Sequence, residues 1–441
     1  MVDQGGINSP SANQDPCVVS RFSVEGFWKS RSVDCQFFED VNFLIGPNGS
    51  GKTTIVNLLA AALTADFRIL DKIQFSTLRV DLVSASTGEG RYQIIASKGG
   101  DIDSPIAPIR YAVRDSQGAI VTEFSLDEIE EQLSLRDPRY YSRRRAALRS
   151  RVLGDVLRNF VDVTWLSVNR HEGYLNDRPE SSVESLVDLK LDSQANQLVR
   201  FFSKLEQKSA DVLNSFQQSV FLSLLLGHEK SFSIWDEVEL DVDAERKRLR
   251  PVLEQFGVQR SRFSSKIERH LDTLSSATQK VAAGDGLSDA EVVALVNQRR
   301  ITEVVSEWQN YLEKRGQIFR LRDAFIRILN SMLLNKEVFI TPANELALRT
   351  KSGGLLPVKG LSSGEKQLLI ILGQALLQDS RPAVYIADEP ELSLHVAWQE
   401  QIVKNIREIN PFAQIIFATH SPDIVGPYQD RIKVAAGLFS Q

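Results

Sequence analysis

The sequence is poor in several things. Its 441 residues include two cysteines, Cys17 and Cys35, and five histidines. No Cys/His spacing suits zinc, and two thiols make no disulfide framework. Long apolar runs are missing too: stretches such as "LLIILGQALL" are too short and interrupted to span a bilayer. The opening "MVDQGGINSPSANQDP" lacks the basic-then-apolar order of a secretory signal, and 1–17 reads as a frayed tail. No apolar heptad persists, which argues against a coiled-coil rod. The net charge of −5 does not by itself call for nucleic acid, although a local basic face stays open. The expectation is a cytoplasmic protein with no membrane partner. With 42% hydrophobic and 25% charged residues, it has ordinary globular composition, enough for a large domain with an insertion.

What is present has a clear order. Residues 18–28 read as a strand entering a turn, and "VNFLI" (41–45) as a short apolar strand stopping at Gly46. Residues 51–63 have helical apolar spacing. Alternating stretches at 75–84, 91–97 and 109–125, separated by Gly-Gly and Ser-Gln-Gly, predict an antiparallel meander. Residues 126–160 read as helical and 161–170 as another strand. From about 175 to 335 the pattern is mainly helical, and a compact helical insertion is expected. Residues 337–360 read as a hairpin turning at Ser-Gly-Gly. "AVYIA" (383–387) and "QIIFAT" (414–419) are apolar on both faces, as strands of a covered parallel sheet are.

Three strand ends carry chemistry. "GPNGSGKT" (46–53) matches G-x-x-x-x-G-K-[ST] between a strand and a helix. Gly46, Pro47, Asn48, Gly49, Ser50 and Gly51 would wrap backbone N–H groups around phosphates. Lys52 would reach the β/γ oxygens, Thr53 would offer its hydroxyl to Mg²⁺, and Thr54 continues the helix start. "AVYIADEP" ends in Asp388, placed for Mg²⁺, and Glu389, placed to polarise water as a general base. "IIFATHSP" puts His420 where an imidazole can sense a γ-phosphate. "LSSGEKQ" presents Leu361, Ser362, Ser363, Gly364 and Glu365 at a second helix start, where a hydroxyl and unpaired N–H groups suit an anion.

P-loop, "LSSGE", "DEP" and "ATHSP", in this order, resemble the ABC-type ATPases of the SMC/RecF/OLD group. The resemblance implies an α/β fold: a P-loop NTPase ABC-type head, parallel core sheet plus antiparallel β meander, with a mainly helical insertion. It divides the chain into the tail, an N-terminal half of the head at 18–172, the insertion at 173–336 and a C-terminal half at 337–441. It implies ATP and Mg²⁺, with Lys52, Asp388, Glu389 and His420 as the catalytic set. It makes "ADEPELSLH" a Walker B joined to a D-loop with Glu391, Ser393 and His395. In this group two heads close around two nucleotides, so the signature 361–365 would serve a second copy's ATP. The group's Q-loop position holds Asn169 and Arg170 instead of Gln, with Gln74 as a competitor. Lys29, Ser30 and Arg31 are candidates for facing the adenine, or a solvated turn.

Only 21 residues follow His420, too few for the Toprim nuclease that ends OLD-type chains (441 − 420 = 21). The acidic "DID" (101–103) and "ELDVDAE" (239–245) lack the strand context such a site needs. The layout resembles ATPase components of multi-gene anti-phage systems, PARIS-type above all, with Septu and retron-associated ATPases near it. That resemblance implies a sensor or scaffold, dimeric through its nucleotide sites or larger. It would control a separate effector, such as a Toprim-like nuclease, and answer to DNA or a phage protein. The Arg-rich "RDPRYYSRRRAALRSR" (136–151), with Tyr140 and Tyr141, keeps a RecF/SMC-like DNA-binding ATPase open beside a docking site for an acidic partner or a solvated face.

Overall fold

In the computed structural model the described residues are 16–28, 31–99, 109–125, 153–166, 186–225, 260–440 and isolated positions between 247 and 254. The chain divides into two compact units, Met1–Arg200 with Leu321–Gln441, and Phe201–Arg320.

The first unit holds three sheets. A five-stranded sheet has the order β14-β3-β13-β12-β8 and all its pairings are parallel. Its strands are β3 (Val41–Ile45), β8 (Val163–Leu166), β12 (Ala383–Asp388), β13 (Ala413–Ala418) and β14 (Ile432–Val434). Both β12 and β13 are buried along their whole length, as their two-faced apolar sequences predict. A seven-stranded sheet has the order β15-β2-β1-β4-β5-β6-β7. It comprises β1 (Cys17–Phe27), β2 (Arg31–Gln36), β4 (Thr77–Ser84), β5 (Gly90–Lys98), β6 (Ile109–Asp115), β7 (Ile120–Ser125) and β15 (Phe439–Ser440). From β4 to β7 it is the expected antiparallel meander. The short, polar β2 and the terminal β14 and β15 carry no pattern that announces them.

One helix lies within the apolar core shared by these sheets. Helix α1 (Lys52–Thr64) buries Ile55, Val56 and Leu58 through Leu63, apolar all round as an interior helix must be. Its Ala60, Ala61 and Ala62 are fully buried. Gln414 ties the sheets together from inside: its amide donates to the carbonyls of Val19 (2.6 Å) and Phe38 (2.8 Å) and accepts from Val19 N–H (2.9 Å). The short α2 (Phe67–Lys72) follows, capped by the Asp66 carboxylate.

Residues 337–360 form a three-stranded sheet, β11-β10-β9, and not a single hairpin. Strands β9 (Lys336–Ile340) and β10 (Leu346–Thr350) turn through 341–345, and Ser352-Gly353-Gly354 makes the second turn, into β11 (Leu355–Leu356). The expected turn residues do turn, but Asn344 at φ 62 provides an extra one.

The expected helical region contains three long helices, and Phe201–Arg320 within it forms a compact unit. Helix α3 (Leu186–Leu225) has 40 residues, α4 (Arg260–Ala283) 24 and α5 (Asp289–Met332) 44. Both α3 and α5 pass from one unit into the other. Within the second unit Phe216, Trp308 and Tyr311 stack around Leu271 and Val305. Buried Glu291 accepts hydrogen bonds from Ser276, Ser288 and Lys280, which hold its carboxyl down to about 2. None of the described helices is long and apolar enough to cross a membrane.

Candidate functional site

Strands β3, β13 and β12 are neighbours, and all three deliver their carboxyl ends to one edge. That is where open α/β sheets bind ligands. The loop after β3 is the Gly-rich turn, with Ser50 N–H bonded to Pro47 C=O (3.2 Å). Gly51 must be glycine: its φ is 91°, and a Cβ there would lie 2.9 Å from the Phe439 ring. Lys52, buried, folds its ammonium back on the loop, donating to the carbonyls of Gly46 (2.9 Å) and Pro47 (3.3 Å). Burial lowers its pKa, opposed by Glu389, Asp388 and Glu391. Thr53 Oγ1 donates to Asp388 Oδ1 at 3.1 Å, so the helix start and the acidic strand already touch.

Glu389 leaves β12 in a left-handed conformation, φ 47°, pinned by its N–H to Ala418 C=O (2.8 Å). Burial raises its pKa to about 7, helped by the adjacent Glu391 and Asp388 carboxylates. Burial also raises Asp388, offset by the Thr53 hydroxyl and Lys52. His420 joins them: its Nε2 is 2.6 Å from Lys52 Nζ and 3.3 Å from Glu389 Oε1. The structure thus brings Lys52, Thr53, Asp388, Glu389 and His420 into one constellation from positions hundreds of residues apart.

Oxygen donors on Thr53 and Asp388 suit a hard cation that keeps most of its water or phosphate ligands, as Mg²⁺ does. No group of three His, Cys, Asp or Glu suited to a metal occurs among the described residues. The chemistry of the pair fits Mg²⁺ held jointly with a phosphate.

The signature residues cap α6 (Ser363–Leu377). The helix begins two residues before the expected start near Glu365. Ser362 and Glu365 make a reciprocal capping box, with Ser362 N–H to Glu365 Oε2 at 2.8 Å. Glu365 is further held by Lys336 (2.6 and 2.8 Å), so it is buried and committed. Leu361 and Gly364 are buried too, while Ser362 and Ser363 face outward. Asp188 and Gln194, near the start of α3, bind Lys366 and the carbonyls of Leu369 and Ile370.

The segment 389–395 wraps against this region. Ser393 is exposed at φ 71°, and exposed His395 caps α7 (Val396–Ile409), its Nδ1 accepting from Ala397 N–H. Glu391 turns the other way, toward His420.

Lys29, Ser30, Asn169, Arg170 and the 136–151 segment lie outside the described residues, as do 101–103 and 239–245. Arg31 is described, exposed, with its guanidinium over the Phe439 ring (5.8 Å). Gln74 is exposed. Two features escaped sequence reading. Trp28, at φ 46°, stacks with Phe27 and Phe439 beside Gly51. Gln399 accepts from Ser421 Oγ (2.7 Å) and donates to Leu394 C=O (2.9 Å), linking the loops after β13 and β12. The Gly26-Phe27-Trp28 run at the end of β1 was the one sequence hint for the first; the second had none.

Comparison with known proteins gives matches of different reach. The chain is similar to the "Retron Vc95 probable ATPase" of Vibrio cholerae serotype O1 biovar El Tor, 26% identical over 166 residues. That match spans 32% of this chain and 32% of the relative's length. Among solved structures, the Smc head domain of Pyrococcus furiosus with an extended coiled coil, bound to the C-terminal domain of ScpA, aligns at TM-score 0.39 and 14% identity. It covers 93% of this chain and 91% of that one. The Pyrococcus yayanosii Smc head with a coiled coil and joint aligns at TM-score 0.33 and 15% identity, covering 93% of each. One family model matches residues 41–426, from β3 to the short helix α8 (Pro422–Val425) that follows His420. The chain therefore belongs to the family described as "AAA domain, putative AbiEii toxin, Type IV TA system".

Proposed function

We propose that this protein binds and hydrolyses ATP between two copies of itself, and that the cycle controls a separate effector in anti-phage defence. The convergence of Lys52, Thr53, Asp388, Glu389 and His420 on one sheet edge carries the ATPase reading. Lys52 trades the Gly46 and Pro47 carbonyls for phosphate oxygens. Thr53 and Asp388 hold Mg²⁺, which when bound neutralises phosphate charge. Glu389 orients and deprotonates the attacking water, and its raised pKa suits a base working near neutrality. His420, beside both Lys52 and Glu389, reads whether the γ-phosphate is there. Buried Leu361, Gly364 and Glu365 anchor a cap whose outward Ser362 and Ser363 suit the phosphate of another copy.

The test is complementation. Lys52→Ala should lose ATP binding. Ser363→Arg should keep ATP binding and lose hydrolysis. Mixing the two variants should restore part of the activity, because one composite site is then whole. Mixtures as dead as their parts, with both variants folded, would refute the shared site.

The family description names a toxin of a type IV TA system, and the relative's name an ATPase of a retron. The relative's name, a probable ATPase of a retron, supports a defence setting, and the separate effector is our own reading. Co-purification of the product of a neighbouring gene, released when a trigger is added, is the measurement. A DNA-binding reading rests on the Arg-rich 136–151 segment. It requires steeply salt-dependent DNA affinity that is lost when Arg143, Arg144 and Arg145 become Glu.

A further inference from the structure

Glu391 lies three residues after the strand that carries Asp388, yet its bonds go to a different strand end. Its Oε1 accepts from Thr419 Oγ1 (2.6 Å), His420 N–H (2.8 Å) and Ser421 N–H (3.2 Å). One oxygen thus gathers three donors from the start of the His420 loop, the Ser421 N–H shared with Thr419 Oγ1 (2.9 Å), while Thr419 N–H goes to Leu44 C=O (3.1 Å) and the Ser421 hydroxyl is used elsewhere. That last group binds Gln399, which in turn holds Leu394 C=O. The other carboxylate oxygen, Oε2, is shut off from solvent and takes no hydrogen bond. Glu389 is its neighbour.

We infer that Glu391 is a positioning residue. It locks the loop after β13 to the turn after β12, so that the His420 imidazole and the Glu389 carboxylate face the same phosphate position. The alternative is a turn-stabilising side chain. Against it stands the direction of the bonds. The 389–394 turn closes on its own backbone, Leu392 N–H to Glu389 C=O (3.1 Å) and Leu394 N–H to Glu391 C=O (2.9 Å), without the Glu391 side chain. The three donors its Oε1 accepts all come from the other strand end, while within its own turn the carboxylate meets the Glu389 carboxyl. Charged-acceptor hydrogen bonds of this kind are the strong ones, and three together fix the loop's direction as well as its distance. The imidazole, by contrast, lies beside two side chains of the candidate site, Lys52 Nζ and Glu389 Oε1. Its backbone is what Glu391 fixes. The catalytic consequence rests on the ATPase reading; the positional one does not.

Two measurements on the full chain separate these. Imidazole NMR spectra, with His420 assigned by His420→Ala, report position without turnover. Glu391→Ala should shift or broaden the His420 signals and leave His270, in the other unit, unchanged. Glu391→Gln keeps an acceptor oxygen and should restore them. An unmoved His420 in Glu391→Ala, or an equal change at His270, overturns the inference even if the wild type hydrolyses nothing, an outcome that would sink only the ATPase reading. With an active wild type, Glu391→Ala should lower kcat on the order of 10²-fold at unchanged KM for ATP, the scale of a misplaced group. In a His420→Ala background it should cost little more. Fully additive losses overturn it.

Discussion

Gly364→Ala tests whether the signature is seated against the neighbouring loop as the structure has it. Gly364 lies in the first turn of α6 with ordinary helical backbone, so alanine by propensity alone should stabilise, by at most about 1 kcal/mol. A methyl group at this position, however, would fall deep inside the van der Waals radius of the Ser393 carbonyl oxygen, with the Trp398 ring 3.6 Å away on another side. The obstacle is backbone, which cannot rotate aside as a side chain would. Overpacking of this kind costs about 1–3 kcal/mol, and a rigid obstacle puts it near the upper end. Subtracting the propensity gain leaves a net loss of about 1–2 kcal/mol. The control is Gly316→Ala in the interior of α5, where an added Cβ meets nothing within 4 Å and only the propensity gain applies. Urea denaturation, followed by far-UV circular dichroism and tryptophan fluorescence, should move the two midpoints in opposite directions. A Gly364→Ala midpoint equal to or above wild type would refute the contact.

Gln414→Leu should destabilise by several kcal/mol, because it leaves Val19 N–H without its buried acceptor at about 1–3 kcal/mol per orphaned group and takes a donor from two carbonyls; a thermal melt reads it. Glu389→Gln should trap ATP-bound dimers visible by size-exclusion chromatography, with hydrolysis down on the order of 10²–10⁴-fold. The same substitution should stabilise the nucleotide-free protein at neutral pH. An acid whose folded pKa is raised to about 7 costs stability as pH climbs from its unfolded value toward 7, so the gain over wild type should fade below about pH 4, as melts across pH would show. Cys17 and Cys35 are buried, and burial pushes the Cys35 thiol to about 12, so Ellman's reagent at pH 8 should label neither until the chain unfolds.

The parts legible in the sequence were those written locally. Apolar runs ending in Gly46, Asp388 and His420 announce buried parallel strands, and the turn residues after them announce a site. What the sequence hid is made of long-range bonds. Gln414 reads as one more residue of an apolar strand, yet its amide crosses to Val19, 395 positions away. The resemblance puts Glu391 in a D-loop, but its bonds to the His420 loop show only once β13 lies beside β12. The six-residue β2 alternates weakly, and β14 and β15 are too short to show a period. The 337–360 sheet was misread because the Ser-Gly-Gly turn outweighed the earlier Thr-Pro-Ala-Asn-Glu turn (341–345), which closes at Asn344 with no glycine.

These long-range bonds also make one chain of contact out of features that look separate. Gly364 seats the signature on Ser393. Ser393 belongs to the turn whose Glu391 grips the His420 loop. His420 meets Lys52 of the phosphate loop. Packed backbone of this kind is stiff, so it passes on a displacement and does not absorb it. Outward-facing Ser362 and Ser363 stand at one end, and Lys52 at the other. If the composite site we propose exists, a phosphate pressing on the first end would alter the second within the same copy. The amplitude need only be small, because the Lys52 ammonium rests on the Gly46 and Pro47 carbonyls that a phosphate would have to replace.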